Sequence, residues 1–491
     1  MERIGRGGNR GRAPECRMPE TARTAAGIAE VESHERALRR EVGVGALVLT
    51  QIMYVVGTGW VGTAAKLGPG HVTFWLLAIA LFFLPQAAVV IWLNARMPHE
   101  GGLYQWAKLG LDERAGFLTA WNLWVYTIIL LGAFGMIVAS NLAYVLGPRA
   151  AAFTGTNAYD ALVTVVVIGS AAAVAGAGLR VGKWAQIVGG IAQLAAFATL
   201  IAAPAAARAR GAAVDPRTVA FALPAISLLS LNIFGKMAMG AFSGLEYVAI
   251  MAGETRDPAR AVAKSVLIAT PIIGALFIFG TAAVVALVPR GGIDLIAPVP
   301  QTLAAGYGAS GAGAAVALGV TSLLLLRHLG NVNFIFAGNV RLPMVAGWDG
   351  LLPAWFTRLT PRARTPRNAI LFAAAFIMVF SLLGLAGVGQ QEAFQLLDNA
   401  AGTLYGLTYL VMFWIPLAAP RKLGAPPPLW LRGAAASGFA VTALYCALNI
   451  FPIIDVPSTA AYSAKILTVI LGTNLLGVAL FAAARRSRAT A

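Results

Sequence analysis

Two short stretches place glycines and hydroxyl residues where an apolar helix should otherwise run unbroken. In the first, Tyr54-Val55-Val56-Gly57-Thr58-Gly59-Trp60-Val61-Gly62 sets three glycines within six residues, and backbone entropy with missing side chains weakens a helix there. In the second, Gly240-Ala241-Phe242-Ser243-Gly244-Leu245-Glu246 puts Ser243 and Gly244 in mid-segment, with a carboxylic acid two residues further on. A helix that starts afresh near Gly59 aims its free N–H groups at the space before it. Gly57, Thr58 and Gly59, with the Thr58 hydroxyl, then suit a carboxylate. The half-helices ending near Val55 and Phe242 bare carbonyls, which suit an ammonium. One pole for an anion and one for a cation describes a zwitterion held without an ion-paired side chain. The competing reading of the first stretch is close packing of helices through small residues.

The elements that position these residues follow from composition. The chain has 491 residues, 58% hydrophobic and only 12% charged, with a mean hydropathy of +0.75, beyond the apolar share of ordinary soluble domains. A hydrocarbon core of roughly 30 Å needs about 20 apolar residues per helix. Twelve segments meet that length, at about 43–66, 72–95, 116–146, 159–178, 184–206, 223–252, 264–289, 311–340, 368–388, 393–419, 429–450 and 462–484. An all-α integral membrane fold of 12 transmembrane helices is expected, since barrel strands would show short alternating segments instead.

The formal charge of +17 reads as topology and not as a nucleic-acid patch. With the N-terminus inside, 28 of the 37 Lys and Arg fall on the inner side, 7 at outer ends and loops, and 2, Lys236 and Arg327, inside spans. Cytoplasmic loops retain positive charge, so both termini are expected in the cytoplasm and the protein in the cell membrane. The stretch 1–42 lacks the apolar core and cleavage site of a secretory signal and reads as a polar cytoplasmic tail. Cys16 and Cys446 are too few for a disulfide framework or a thiolate metal site. No metal or other cofactor is expected. The two weak points lie five spans apart, so the first and sixth helices cross in opposite directions, as an inverted five-helix repeat would make them. The expected units are 43–210 and 211–420 for the two repeats, and 421–491 for two extra C-terminal helices with a short basic tail.

Several motifs in order carry a resemblance. They are Gly57-Thr58-Gly59; Pro98 with Gly101-Gly102-Leu103-Tyr104 and Trp106; Phe242-Ser243-Gly244-Leu245-Glu246 running into Ala252-Gly253-Glu254-Thr255-Arg256-Asp257-Pro258; and Arg341, Asp349-Gly350-Leu351-Leu352-Pro353, Thr365-Pro366 and Asn368. Over about residues 43–420 the chain resembles the amino acid-polyamine-organocation superfamily, whose members are similar to the leucine-transporter fold. The resemblance implies a secondary transporter working by alternating access, with substrate held where spans one and six break. It implies that Thr58 and Gly59 hold a substrate carboxylate, that the Val55 carbonyl faces the amine, and that Phe242 lies in the stretch of an aromatic gate. The large aromatic often found two residues before Phe242 is here Gly240. Tyr126 and Thr127 of the third span are expected to line the pocket. For Trp121, Asn122 and Trp124 that role competes with helix packing and the membrane-interface aromatic belt.

Ionisable residues inside the membrane are costly unless protonated, paired or facing water. Glu246, just past the second break, is the candidate for proton coupling, because gaining and losing a proton would bias two conformations; the competing reading is a hydrogen-bonded acid pinning span six to a neighbour. Lys236 is expected to snorkel to the outer edge. Arg327 should face the bundle interior, in an ion pair with an acid such as Asp398. In the resembled fold a sodium ion often braces span eight against span one, and Arg327 is a candidate substitute. His328 reads as a satisfied core histidine.

These readings favour a transporter of amino acids, proton-coupled or exchanging substrates. An amine or polyamine carrier of the same fold would want several acids in the pocket, and Glu246 stands alone. An intramembrane enzyme lacks a His-Glu-x-x-His helix or paired catalytic carboxylates. A sensor that binds without transporting remains a reading the residues allow. The partners expected are a small-molecule substrate, protons and the lipid bilayer, with no nucleic acid.

Overall fold

The computed structural model describes residues 43–97, 102–178, 183–246, 258–345, 354–360, 365–419 and 423–490. Every regular element among them is helical, as a bilayer demands of a chain that must satisfy its own backbone groups. Ten of these helices are long and apolar enough to cross a membrane, and one further crossing consists of two helices bent by 51°. The protein is a multi-pass membrane protein.

That bent crossing is α1 (Val44–Val55) followed by α2 (Thr58–Ala65). Next come α3 (Gly68–Arg96), α4 (Leu103–Gly110), α5 (Glu113–Leu146), α6 (Asn157–Gly176) and α7 (Lys183–Ala209). Within α3 the winding widens to a π-turn at Ile79–Phe83, just before Pro85, where the missing proline N–H and the ring clash with the preceding turn disturb α-helical bonding. The segment expected as the sixth span, and called the sixth crossing after that expectation, begins with α8 (Leu228–Gly235), passes into a π-turn at Lys236–Gly240 and stops at Phe242. The chain continues as α9 (Pro258–Leu287), α10 (Pro298–Tyr307), α11 (Gly311–Val345), α12 (Arg367–Leu385), α13 (Gln390–Ala418), α14 (Leu429–Leu448) and α15 (Thr459–Thr490).

Two differences from expectation have local causes. Residues 223–227, expected as the start of the sixth helix, belong to a non-helical stretch tied to the start of α3. Ala220 N–H bonds the Pro69 carbonyl at 2.9 Å and the Thr73 hydroxyl bonds the Ala222 carbonyl at 3.0 Å. The helix begins only where Ser227 and Ser230 cap it reciprocally. The loop between α9 and α11 carries the short helix α10, whose Pro298 packs on Gly62 of α2.

The buried side chains form two clusters. One contains residues of α1, α2, α3, α7, the sixth crossing and α9; the other contains α5, α6, α12 and much of α11 and α13. Tyr126 of α5 packs against both, at the seam between them.

Candidate functional site

The first crossing unwinds at Val56 and Gly57. Gly57 has an ordinary φ of −83°, so glycine is needed there for space: a Cβ on Gly57 would lie 2.6 Å from Cδ1 of Trp60. The carbonyls that α1 leaves unbonded find partners across the bundle. Gln193 of α7 donates its amide to the Val56 carbonyl at 2.9 Å, and Arg327 of α11 donates to the Met53 carbonyl at 2.9 Å. A buried carbonyl without such a donor would cost about 1–3 kcal/mol.

The Val55 carbonyl is not free, as expected from sequence, but accepts the Gly57 N–H at 2.9 Å in a tight turn. Gly57 therefore spends the N–H that was expected to meet a carboxylate. The open amide end is one residue further on. Thr58 is buried, α2 has no side-chain cap, and the first N–H groups of a helix have no intrahelical acceptor. Gly59 faces the loop before α10, where a Cβ would lie 3.4 Å from the Leu295 carbonyl.

The second break follows the π-turn. Gly244 has a φ of +110°, a conformation that excludes other L residues without strain. Ser243 N–H still reaches the Met239 carbonyl at 3.2 Å, and the helix then ends. The residues beyond Glu246, including Ala252 to Asp257, lie outside the described residues, as do Pro98, Gly101 and the Asp349–Pro353 motif.

Phe242, expected in the stretch of an aromatic gate, packs into the interior. It is fully buried in an aromatic cluster with Trp75, Phe83 and Phe277, at ring-centroid distances of 5.5, 4.9 and 5.4 Å. The aromatic between the breaks is Trp60. The far edge of its indole, Cη2, would be 2.7 Å from a Cβ on Gly240, so one ring spans from Gly57 of the first break to Gly240 before the second. The small residue in the sixth crossing makes room for a large one from the first.

Glu246 is buried and held on both oxygens: Tyr405 and Tyr409 of α13 each donate a hydroxyl to it. The Tyr409 oxygen also accepts the Gly244 N–H at 2.8 Å and the Gln86 amide of α3 at 2.8 Å. With both lone pairs taken, its proton must point at Glu246 Oε2. Tyr126 stacks on Tyr405 with centroids 4.3 Å apart and planes 4° from parallel. Glu246, Gly244, Tyr126, Tyr405, Tyr409 and Gln86 thus form one cluster where α3, α5, α13 and the sixth crossing meet. Thr127 turns elsewhere, accepting the Asn339 amide of α11. Asn122 exchanges amide bonds with Asn474 of α15, and the Trp121 indole donates to the Thr473 carbonyl at 2.8 Å.

The two basic residues inside spans behave differently from expectation. Lys236 does not snorkel. It is 1% exposed, donates to Asn399 and, at 2.8 Å, to Asn449, and lies 3.9 Å from Asp398. The π-turn and the amides of α13 and α14 give its ammonium a polar interior lodging. Asp398 is therefore engaged by Lys236 and not by Arg327, which donates to a backbone carbonyl of α1. His328 is buried, but neither ring nitrogen has a hydrogen-bond partner among the described residues.

Trp60, Tyr405, Tyr409, Gln86 and Gln193 were missed as site residues in the sequence. The legible signal was an amide inside an otherwise apolar helix, as at Gln86 and Gln193, and the i, i+4 spacing of Tyr405 and Tyr409, which puts both hydroxyls on one helix face.

Broken apolar helices around a small polar cluster are the architecture of a membrane transporter. An amino acid permease family model matches residues 42–473, and the chain belongs to that family, within the amino acid-polyamine-organocation superfamily of transporters. It is 25% identical over 400 residues to an uncharacterized transporter of Legionella pneumophila, covering 80% of this chain and 83% of that one. It is 23% identical over 397 residues to a branched-chain amino acid permease of Bacillus subtilis, covering 75% and 81%. A probable agmatine/putrescine antiporter of Lactococcus lactis is 22% identical over 377 residues, covering 74% and 77%.

Proposed function

We propose that the protein is a secondary active transporter of amino acids in the cell membrane that works by alternating access, coupled to protons or to a counter-substrate. The observation that carries this is the split first crossing, which leaves the uncapped amide end of α2 at Thr58 and Gly59 beside the Trp60 indole and the second break. In this reading the Thr58 and Gly59 N–H groups and the Thr58 hydroxyl take the carboxylate. Trp60, not Phe242, shapes the side-chain end, with Val55, Gly57, Ser243 and Gly244 forming the bent backbone around it. The full architecture is 12 spans in an inverted 5+5 arrangement plus two C-terminal helices, with both termini cytoplasmic. The two core clusters correspond to a moving bundle and a scaffold, and the Glu246–tyrosine cluster sits at their seam.

Glu246 is the coupling group of this proposal. Because Tyr409 must donate to Oε2, a proton taken up resides on Oε1, and Tyr405 has to turn its hydroxyl to receive it. Uptake of a proton would loosen α13 from the sixth crossing and bias the two states. A carrier of cationic amines is the second reading, named by the Lactococcus relative. The engagement of both Glu246 oxygens by tyrosines weighs against it, since that acid is already bonded on each side and less free to meet an ammonium.

The test is uptake by proteoliposomes. Thr58→Ala removes one bond to a charged group, worth about 1.5–3 kcal/mol, and is expected to lower apparent affinity about ten- to a hundredfold. Gly59→Leu should abolish uptake, with the thermal midpoint of each variant reported beside it. Unaltered uptake in both would remove the first-crossing site. External substrate that fails to chase preloaded label would leave a sensor in place of a transporter.

A further inference from the structure

Between α1, α7 and α11 lies a cavity of about 180 Å³, separate from the Glu246 cluster. Its walls include Met53, Val188, Gly189, Leu326, Arg327 and Asn331. Val188 and Leu326 are more than half exposed, which places the mouth on the outer face of the bundle, while Arg327 is 9% exposed. The guanidinium uses one bond, to the Met53 carbonyl; its buried Nε has no partner, and no acid pairs with it among the described residues. Asn331 stands one helical turn further along the same face of α11, and both residues line the same space. A buried cation without an anion is costly. Here the missing charge has an open, otherwise apolar volume beside it.

We infer that this cavity binds a carboxylate bearing an apolar tail, with the carboxylate on Arg327 and the Asn331 amide and the tail along the walls of α7 and α11. The lining fits that class better than others. A second cation would face Arg327 unscreened, and a bare inorganic anion would leave the apolar wall unused. Such a group can arrive from water, as an apolar amino acid leaving the first break three residues beyond Met53, or from the bilayer through the mouth at Val188, as a fatty acid. Bound, it would tie α11 to α1 and hold the inner half of the split crossing. The inference does not depend on the Thr58–Gly59 reading, which is tested by uptake in variants outside this cavity.

Photo-crosslinking of the full-length protein in phosphatidylcholine proteoliposomes tests it, with three diazirine probes: photo-leucine, a long-chain fatty acid and the fatty alcohol of equal length. Mass spectrometry should map adducts to 188–192 and 323–334 with at least one of the two carboxylates and not with the alcohol. Photo-leucine adducts identify the aqueous source, fatty-acid adducts the bilayer. Arg327→Gln should reduce them about tenfold or more. Gly189→Leu should do the same by filling the space, since a Cβ there already lies 3.8 Å from Arg327 Cγ; this variant keeps the charge and guards against misfolding in the first. Equal labelling by the alcohol, labelling that survives both substitutions, or none in these segments would overturn the inference.

Discussion

Tyr409→Phe isolates the Glu246 cluster with little change of volume. The substitution deletes one oxygen that serves three partners, the Gly244 N–H, the Gln86 amide and Glu246 Oε2. Two buried donors lose their acceptor at about 1–3 kcal/mol each, so the cost is about 2–6 kcal/mol before the lost bond to the acid. That is a large part of the roughly 5–15 kcal/mol that stabilises a folded protein. Unfolding in mixed detergent micelles measures it. A Gln86→Leu background gives the internal check, because one orphan donor is then already gone, and the double variant should fall short of the sum of the singles by about 1–3 kcal/mol. The same protein in proteoliposomes should show altered dependence of uptake on pH. A Tyr409→Phe protein within about 0.5 kcal/mol of wild type, with strictly additive behaviour against Gln86→Leu, would refute the three-way hydroxyl.

Glu246→Gln should preserve exchange of neutral substrates and abolish stimulation by a pH gradient; gradient-driven uptake that persists removes the coupling role. Gly240→Leu should drive the Trp60 indole from its place, since even a Cβ would sit 2.7 Å from it. Overpacking of this kind costs about 1–3 kcal/mol, and substrate protection of Trp60 fluorescence from quenchers should be lost. A normal quenching profile would mean that the ring does not lie between the breaks.

Much of this protein is legible from its residues alone, because a bilayer offers a chain few options. Apolar length marked the ten long helices, and the three glycines around Thr58 marked the first break, since winding that loses side chains cannot hold itself straight. The end of the winding after Phe242 was visible as Ser243-Gly244, and the +110° φ of Gly244 explains why glycine stands there. What sequence could not supply was the company each group keeps. Whether Lys236 reaches outward or inward depends on Asn399 and Asn449, more than 160 residues away. Whether Phe242 or Trp60 occupies the space between the breaks depends on the rotation of two helices, set by Trp75 and Phe277 on one side and Gly240 on the other. Glu246 announced itself as an acid inside the membrane, but the tyrosines that hold it come from α13. Burial within a span is a local property of the chain; the pairing of what is buried is decided only when distant helices pack, because each polar group in lipid must find a partner wherever the fold brings one.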